Sequence, residues 1–136
     1  MRQAIVDRCR DWVDVPFKFN GRTRKGADCV HIIREAIAAS GQAPDVAPYT
    51  SAGSEVDPGQ QITRYAVRIP LLEAKPGDIL LLRYKGSPLP HYGILTEKQT
   101  IIHALLRARK VCEYSLQHPD VAGHIVAAYR LNGVTD

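Results

Sequence analysis

The hydrophobic pattern of this chain changes period part-way along, and that change limits what it can fold into. Through residue 41 the apolar residues recur at helical spacing; from residue 78 they fall into short runs broken by turn residues. Ile5, Cys9, Trp12 and Val13 lie on one face of a helix expected over residues 2 to 13, which Pro16 ends. Asp28 is a good N-cap for a second helix, whose apolar face holds Cys29, Ile33 and Ala36, with Val30 and Ile37 beside them. Gly41 is its natural stop. Strands are expected over residues 78 to 84, 91 to 96, 100 to 106, 109 to 115 and 124 to 131. Helices first and strands after imply an α+β domain, with N-terminal helices packed on one face of a C-terminal antiparallel sheet.

The segment between these halves is less regular. Residues 42 to 60 carry Pro44, Pro48, Pro58, Gly53 and Gly59 and read as a long loop, a place for substrate specificity or docking. Residues 62 to 72 suggest a short helix interrupted near Pro70. The 136 residues suit a single domain spanning residues 1 to 136.

The formal net charge is +4, with Lys and Arg densest at residues 22 to 25 and 107 to 110. Such a balance favours anionic surroundings such as nucleic acid or a wall polymer, although scattered cations mostly form a solvated surface. No apolar run approaches the ~20 residues of a membrane helix, so membrane insertion is not expected. Charges interrupt Met1 to Asp14 throughout, unlike a signal peptide. Three cysteines at unrelated spacings argue for reduced thiols made in a cytoplasm rather than a disulfide framework.

Three residues carry candidate chemistry. Cys29 opens the second helix, where the helix dipole favours thiolate. His91 and His103 flank the turn of an expected hairpin. If Thr96-Glu97-Lys98 forms a three-residue loop, Leu95 pairs with Gln99 and His91 lies directly opposite His103, close enough for their rings to share a hydrogen bond. A two-residue turn would put them on opposite faces. A thiol beside one imidazole, itself oriented by a second, supports acyl transfer through a thioester. One Cys and two His are also a conceivable zinc set, but no closely spaced ligand pair nucleates one, so neither metal nor cofactor is expected.

The chain resembles the NlpC-type cell-wall cysteine peptidases, a papain-like group, and most of all their compact phage and prophage tail forms. The resemblance rests on Val15-Pro16-Phe17, Asn20-Gly21-Arg22 and Gly26-Ala27-Asp28-Cys29, then Pro76-Gly77-Asp78-Ile79-Leu80-Leu81. It continues through His91-Tyr92-Gly93-Ile94-Leu95, Ile101-Ile102-His103-Ala104 and Ala127-Ala128-Tyr129-Arg130-Leu131. It implies Cys29 as nucleophile, His91 as base and His103 as orienting residue, with Phe17, Arg22 and Asp28 toward substrate. The chain departs from the family pattern at Val30 and His31, where Ser-Gly is common, and at Phe17, where Tyr is common.

The resemblance further implies hydrolysis of peptidoglycan stem peptides near a γ-D-glutamyl to diamino-acid bond. It implies tail-tip or baseplate proteins as partners, no nucleic acid, and a virion tail tip acting in the host wall as the location. Two other readings stay open: a structural tail component with weak or no hydrolysis, and a small amidase, acyltransferase or antibacterial effector. Cys9, Cys112 and Trp12 are expected in the core, His31 at the surface or satisfied and pointing away from Cys29, and His118 and His124 exposed. Arg22 and Arg24 could receive a carboxylate.

Overall fold

The computed structural model describes residues 1–45 and 61–135. Helix α1 spans Arg2–Arg10 and buries Ile5, Val6 and Cys9, while Arg8 and Arg10 in its last turn suit the negative end of the helix dipole. Strands β1 (Arg22–Thr23) and β2 (Gly26–Ala27) form a small antiparallel hairpin. Helix α2 spans Cys29–Ala39 with Asp28 as N-cap. Gly41, at φ +90°, turns the chain away beyond it, in a conformation that glycine adopts without steric cost.

Six further strands follow: β3 (Ala66–Ile69), β4 (Ile79–Leu82), β5 (His91–Leu95), β6 (Thr100–Leu105), β7 (Lys110–Ser115) and β8 (Ile125–Leu131). Among the described residues they make one sheet in the order β3-β8-β4-β5-β6-β7, every neighbouring pair antiparallel. This is the expected α+β arrangement. Alternation along the strands sends Ile79, Leu81, Ile94, Ile102 and Ala104 toward α1 and α2. Leu80, Leu82, Leu95 and Ile101 join a second cluster with Val121 and Ala128. Both faces are covered, which explains why β4 reads as an unbroken Ile-Leu-Leu-Leu run.

Two expectations need correction here. Residues 66 to 69 are the edge strand β3, not part of a helix; of the expected helix over residues 62 to 72, residue 62 is helical and Leu71–Glu73 form a short 3-10 turn after Pro70. Pairing with β8, from Ala66↔Leu131 to Ile69↔Ala128, overrides the local pattern. The long loop expected over residues 42 to 60 lies, from residue 46 to residue 60, outside the described residues.

The two layers are joined by a buried carboxylate. Asp78 is fully buried and accepts hydrogen bonds from Arg2 of α1 (3.0 Å), from Arg130 of β8 (2.9 and 3.2 Å) and from the Lys75 backbone N–H (2.8 Å). Arg10, at the other end of α1, holds Glu113 of β7 (2.8 Å) and Glu97 in the β5–β6 turn (2.5 Å). Removing Asp78 takes the shared carboxylate from two partly buried guanidinium groups. Asp78→Ala should therefore lower unfolding stability by about 3 kcal/mol in urea titrations, far more than Asp11→Ala in the exposed Arg24 pair.

Candidate active site

Cys29 is the first residue of α2, and Asp28 puts it there. Asp28 Oδ1 accepts from the His31 N–H at 3.0 Å, capping the helix, and Oδ2 accepts from the Asn20 N–H at 2.8 Å. One side chain thus fixes both the helix start and the loop before it. Burial pushes the Asp28 carboxyl pKa up, opposed by these same N–H bonds, which favour the carboxylate. The loop is tied to the rest of the chain through the Phe17↔Ala27 bridge and the Phe17 N–H bond to the Arg109 carbonyl at 2.9 Å.

The two histidines meet: His91 Nε2 and His103 Nδ1 are 2.8 Å apart. The register that brings them together differs from the expected one. Leu95 pairs with Ile101 and Ile94 with Ile102, two residues further along than the Leu95–Gln99 pairing. The turn is Glu97-Lys98-Gln99, closed by the Thr96 N–H to the Thr100 carbonyl (2.9 Å), with Gln99 left-handed at φ 58°. Because the shift is two residues and side chains alternate with period two, both histidines stay on one face as diagonal neighbours. At Gly93, between them, a Cβ would sit 2.5 Å from the Ile101 side chain and 2.9 Å from the Ile102 carbonyl oxygen.

The pair is shut away from water: His91 is 8% exposed and His103 0%. Burial, with His103 beside it, pushes the His91 pKa down to about 3; burial, with His118 nearby, pushes His103 down to about 4. Both rings are therefore neutral at neutral pH, and a single proton lies in the bond between them. The His103 ring stands edge-on to Tyr114 (5.2 Å, 73°), which stacks on His118 (4.0 Å, 16°). Among the described residues His103 Nε2 is buried without a hydrogen-bond partner.

Cys29 and His91 line one cleft of about 140 Å³, with Phe17, Phe19, Tyr84, Ser87, Leu89, Pro90, Ala104, Leu105 and Leu106. Cys29 itself is 2% exposed, so the thiol lies at the bottom. Phe17 is in the wall, edge-on to Phe19 (5.1 Å, 89°). Phe19 and Tyr84 escaped the sequence reading. Phe19 had a signal, since residues i and i+2 of an extended segment share a side. Tyr84 had none, because its place beside His91 (5.6 Å between rings) follows from the β4–β5 pairing.

The remaining candidates fall elsewhere. Arg22 lies in β1, opposite Ala27, where burial and the Arg34 cation disfavour its charge. Arg24 covers the Trp12 ring at 3.9 Å and pairs with Asp11 at 2.7 Å. His31 is neither at the surface nor satisfied: it is 6% exposed, lies against Trp12 (4.4 Å), and neither ring nitrogen has a partner among the described residues. Helix α2 packs on α1, so the side away from Cys29 is also interior. His118 and His124 are half-buried by stacking on Tyr114 and Tyr84. Cys9 and Cys112 are core residues whose thiol pKa values burial raises, to about 11 for Cys112. Among the described residues no group of three His, Cys, Asp or Glu side chains is arranged to hold a metal ion, and no helix is long and apolar enough to cross a membrane.

A cysteine at the start of a helix, sharing a cleft with a histidine pair on an antiparallel sheet, is a papain-like arrangement. The NlpC/P60 family model matches residues 14–130, and the chain belongs to that family. No curated protein matches the sequence. Among solved structures, the NlpC/p60 domain of the peptidoglycan hydrolase SagA is similar at 23% identity and TM-score 0.69, over 96% of this chain and 99% of that one. A Staphylococcus aureus protein of the NLP/P60 family, similar to a lipoprotein, shares 21% identity and TM-score 0.68 over 96% of this chain, which spans only 41% of that chain. RipD of Mycobacterium tuberculosis, a non-catalytic NlpC/p60 domain protein adapted to peptidoglycan binding, shares 13% identity and TM-score 0.62 over 95% of both chains. At these identities the structures establish a shared fold.

The depressed histidine pKa values have a measurable consequence. Between about pH 4 and the ordinary histidine pKa near 6.5, the unfolded chain binds protons at these positions that the folded chain refuses. Stability should thus rise with pH across that window, level off above it, and fall again on acidification. In urea titrations at pH 5 and pH 7, the His91→Asn/His103→Asn double variant should show a flatter pH dependence than the parent chain. His31, also pushed down by burial, supplies the slope that remains.

Proposed function

We propose that this chain is a cysteine endopeptidase that hydrolyses peptidoglycan stem peptides. The observation that carries the reading is the His91–His103 bond at the wall of the cleft that Cys29 floors. His91 Nε2–H donates to His103 Nδ1, which leaves the His91 Nδ1 lone pair to act as base. His91 takes the Cys29 proton as sulfur attacks the scissile carbonyl carbon. A backbone N–H at the start of α2 receives the oxyanion, the His31 N–H being spent on Asp28. His91 returns the proton to the leaving amine, and a thioester remains on Cys29. Water, deprotonated by His91, then attacks the thioester; the acid product leaves and the thiol is restored.

His103 holds His91 in one tautomer and orientation, and its own burial favours keeping the pair neutral until the proton arrives. Phe17 contributes an apolar wall where a hydroxyl would otherwise stand, and Asp28 serves by fixing Cys29. Arg22, in the hairpin just before the nucleophile, is the cation placed to steer an acidic stem peptide toward the cleft. The bond cleaved is one near a γ-D-glutamyl to diamino-acid linkage. Delivery belongs to a phage or prophage tail acting in the host wall, a reading supported by the sequence resemblance to compact tail-borne relatives. The alternative, a wall-binding or structural tail component with weak hydrolysis, draws on the absent Phe17 hydroxyl, the narrow cleft and the likeness to RipD.

Digestion of purified peptidoglycan, with mass analysis of soluble fragments, decides between them. The parent chain should release peptides cut within the stem, and Cys29→Ala should release none. His91→Asn should lower the rate by about 10²–10⁴-fold, while His103→Asn, which can still accept the hydrogen bond, should retain measurable activity. Absence of fragments from the folded parent chain would leave the binding reading.

Cysteine labelling gives an independent check. Near neutral pH, iodoacetamide should modify Cys29 faster than Cys9 or Cys112, whose thiols burial holds protonated. Equal rates for the three would contradict an activated nucleophile.

A further inference from the structure

The residue that orients the proposed base lies against an aromatic ring of its own. In the β6–β7 ladder His103 pairs with Cys112 and Ile101 with Tyr114, so Tyr114 is the diagonal neighbour of His103 on the same face of the sheet. The two rings lie 5.2 Å apart at 73°, a separation and angle at which the edge of one ring meets the face of another. His118 stacks on Tyr114 at 4.0 Å and 16°, and the Asp120 N–H bonds His118 Nδ1 at 3.0 Å, which fixes that ring in turn. A parallel imidazole thus covers one face of Tyr114, and the other face is left for His103.

The His91–His103 bond has two possible forms. In the first, His91 Nε2–H donates to His103 Nδ1, and His103 carries its own proton on Nε2. In the second, His103 Nδ1–H donates to His91 Nε2, His91 carries its proton on Nδ1, and His103 Nε2 is a bare lone pair. Only the first leaves His91 Nδ1 free to act as base. The 2.8 Å between the nitrogens suits both. The difference falls at His103 Nε2, which is buried and has no hydrogen-bond partner among the described residues. Cys112, directly across the ladder, does not supply one. The face of an aromatic ring is electron-rich, so it attracts an N–H and repels a lone pair.

We propose that His103 Nε2–H donates to the π face of Tyr114, and that Tyr114 is thereby a positioning residue that selects the tautomer with His91 Nδ1 unprotonated. The tautomer stands on the ring geometry and the buried nitrogen; its consequence for catalysis rests on the reading of the chain as a cysteine peptidase. Tyr114 is not among the residues that line the Cys29 cleft, so it acts through His103 and not on the substrate. The ring, and not the hydroxyl, carries the effect.

Nuclear magnetic resonance of the chain with isotope-labelled histidine tests this. In the parent chain a slowly exchanging imidazole N–H should be found on His103 Nε2, its proton shifted upfield by the Tyr114 ring current. Tyr114→Phe keeps the face and should keep that signal, whereas Tyr114→Leu should move the proton downfield. In peptidoglycan digestion Tyr114→Leu should lower kcat by roughly twofold to fivefold, the worth of one N–H···π contact, with KM unchanged, and Tyr114→Phe should rescue it. A proton on His103 Nδ1 in the parent chain overturns the proposal. So does an Nε2–H without the upfield shift, or a kcat loss that Tyr114→Phe shares equally. The parent spectrum needs no variant, so the tautomer is read even if Tyr114→Leu fails to fold. The expected signal without hydrolysis by the parent chain would sustain the tautomer and refute the peptidase. Hydrolysis with the proton on His103 Nδ1 would do the reverse.

Discussion

A single buried carboxylate, that of Asp78, sets the relation between the helical layer and the sheet. It draws together Arg2 at the start of α1, Arg130 on β8 and the turn that leads into β4. A charge with no exposure to water is tolerated only because both oxygens are satisfied by cationic or backbone donors. The consequence reaches beyond the contact itself. Helix α1 packs on α2, β4 pairs with β5, and so the position of Cys29 relative to His91 inherits the geometry fixed at Asp78. Arg10, bridging α1 to Glu97 and Glu113, closes the same arrangement at the hairpin end.

Within that frame the site trades stability for preorganisation. Two imidazoles are kept in an environment that disfavours their cations, and His103 retains a buried ring nitrogen without a partner among the described residues. A chain selected only for stability would fill these positions with apolar side chains. The low polarity that makes the pair costly also sharpens its function in the proposed reaction, because a neutral His91 with one fixed proton is ready to accept another. Asp28 plays the corresponding part on the helix side. By spending both oxygens on backbone N–H groups it fixes the first turn of α2, and with it the position of Cys29.

The Cys29 cleft has a larger cavity beside it, and the two share Tyr84, Leu105 and Leu106. The cleft is narrow and mostly apolar; the neighbouring cavity is larger and charged at Lys85, Arg107 and Asp120. Tyr84 belongs to both, held by ring contacts with His91 and His124 and by its hydroxyl bond to the Asp120 carbonyl.

The sequence by itself determined the elements whose signals are local. Helical spacing placed α1 and α2, Asp28 announced the cap before Cys29, and turn residues marked off β4 to β8. It allowed His91 and His103 to share a face only if a three-residue turn joined their strands, a condition the sequence left open. What it could not determine was anything set by partners distant in the chain. The register at Leu95-to-Ile101 depends on which turn closes best, and Gln99 adopting the left-handed conformation moved it by two residues. Strand β3 exists because β8 offers it an edge, against its own local pattern. The burial of His31 comes from Trp12 and α1 across the helix interface. Tyr84 enters the site through the sheet. Tertiary structure decided these because hydrogen-bond partners and solvent exclusion are properties of the assembled layers, and no window of sequence contains them.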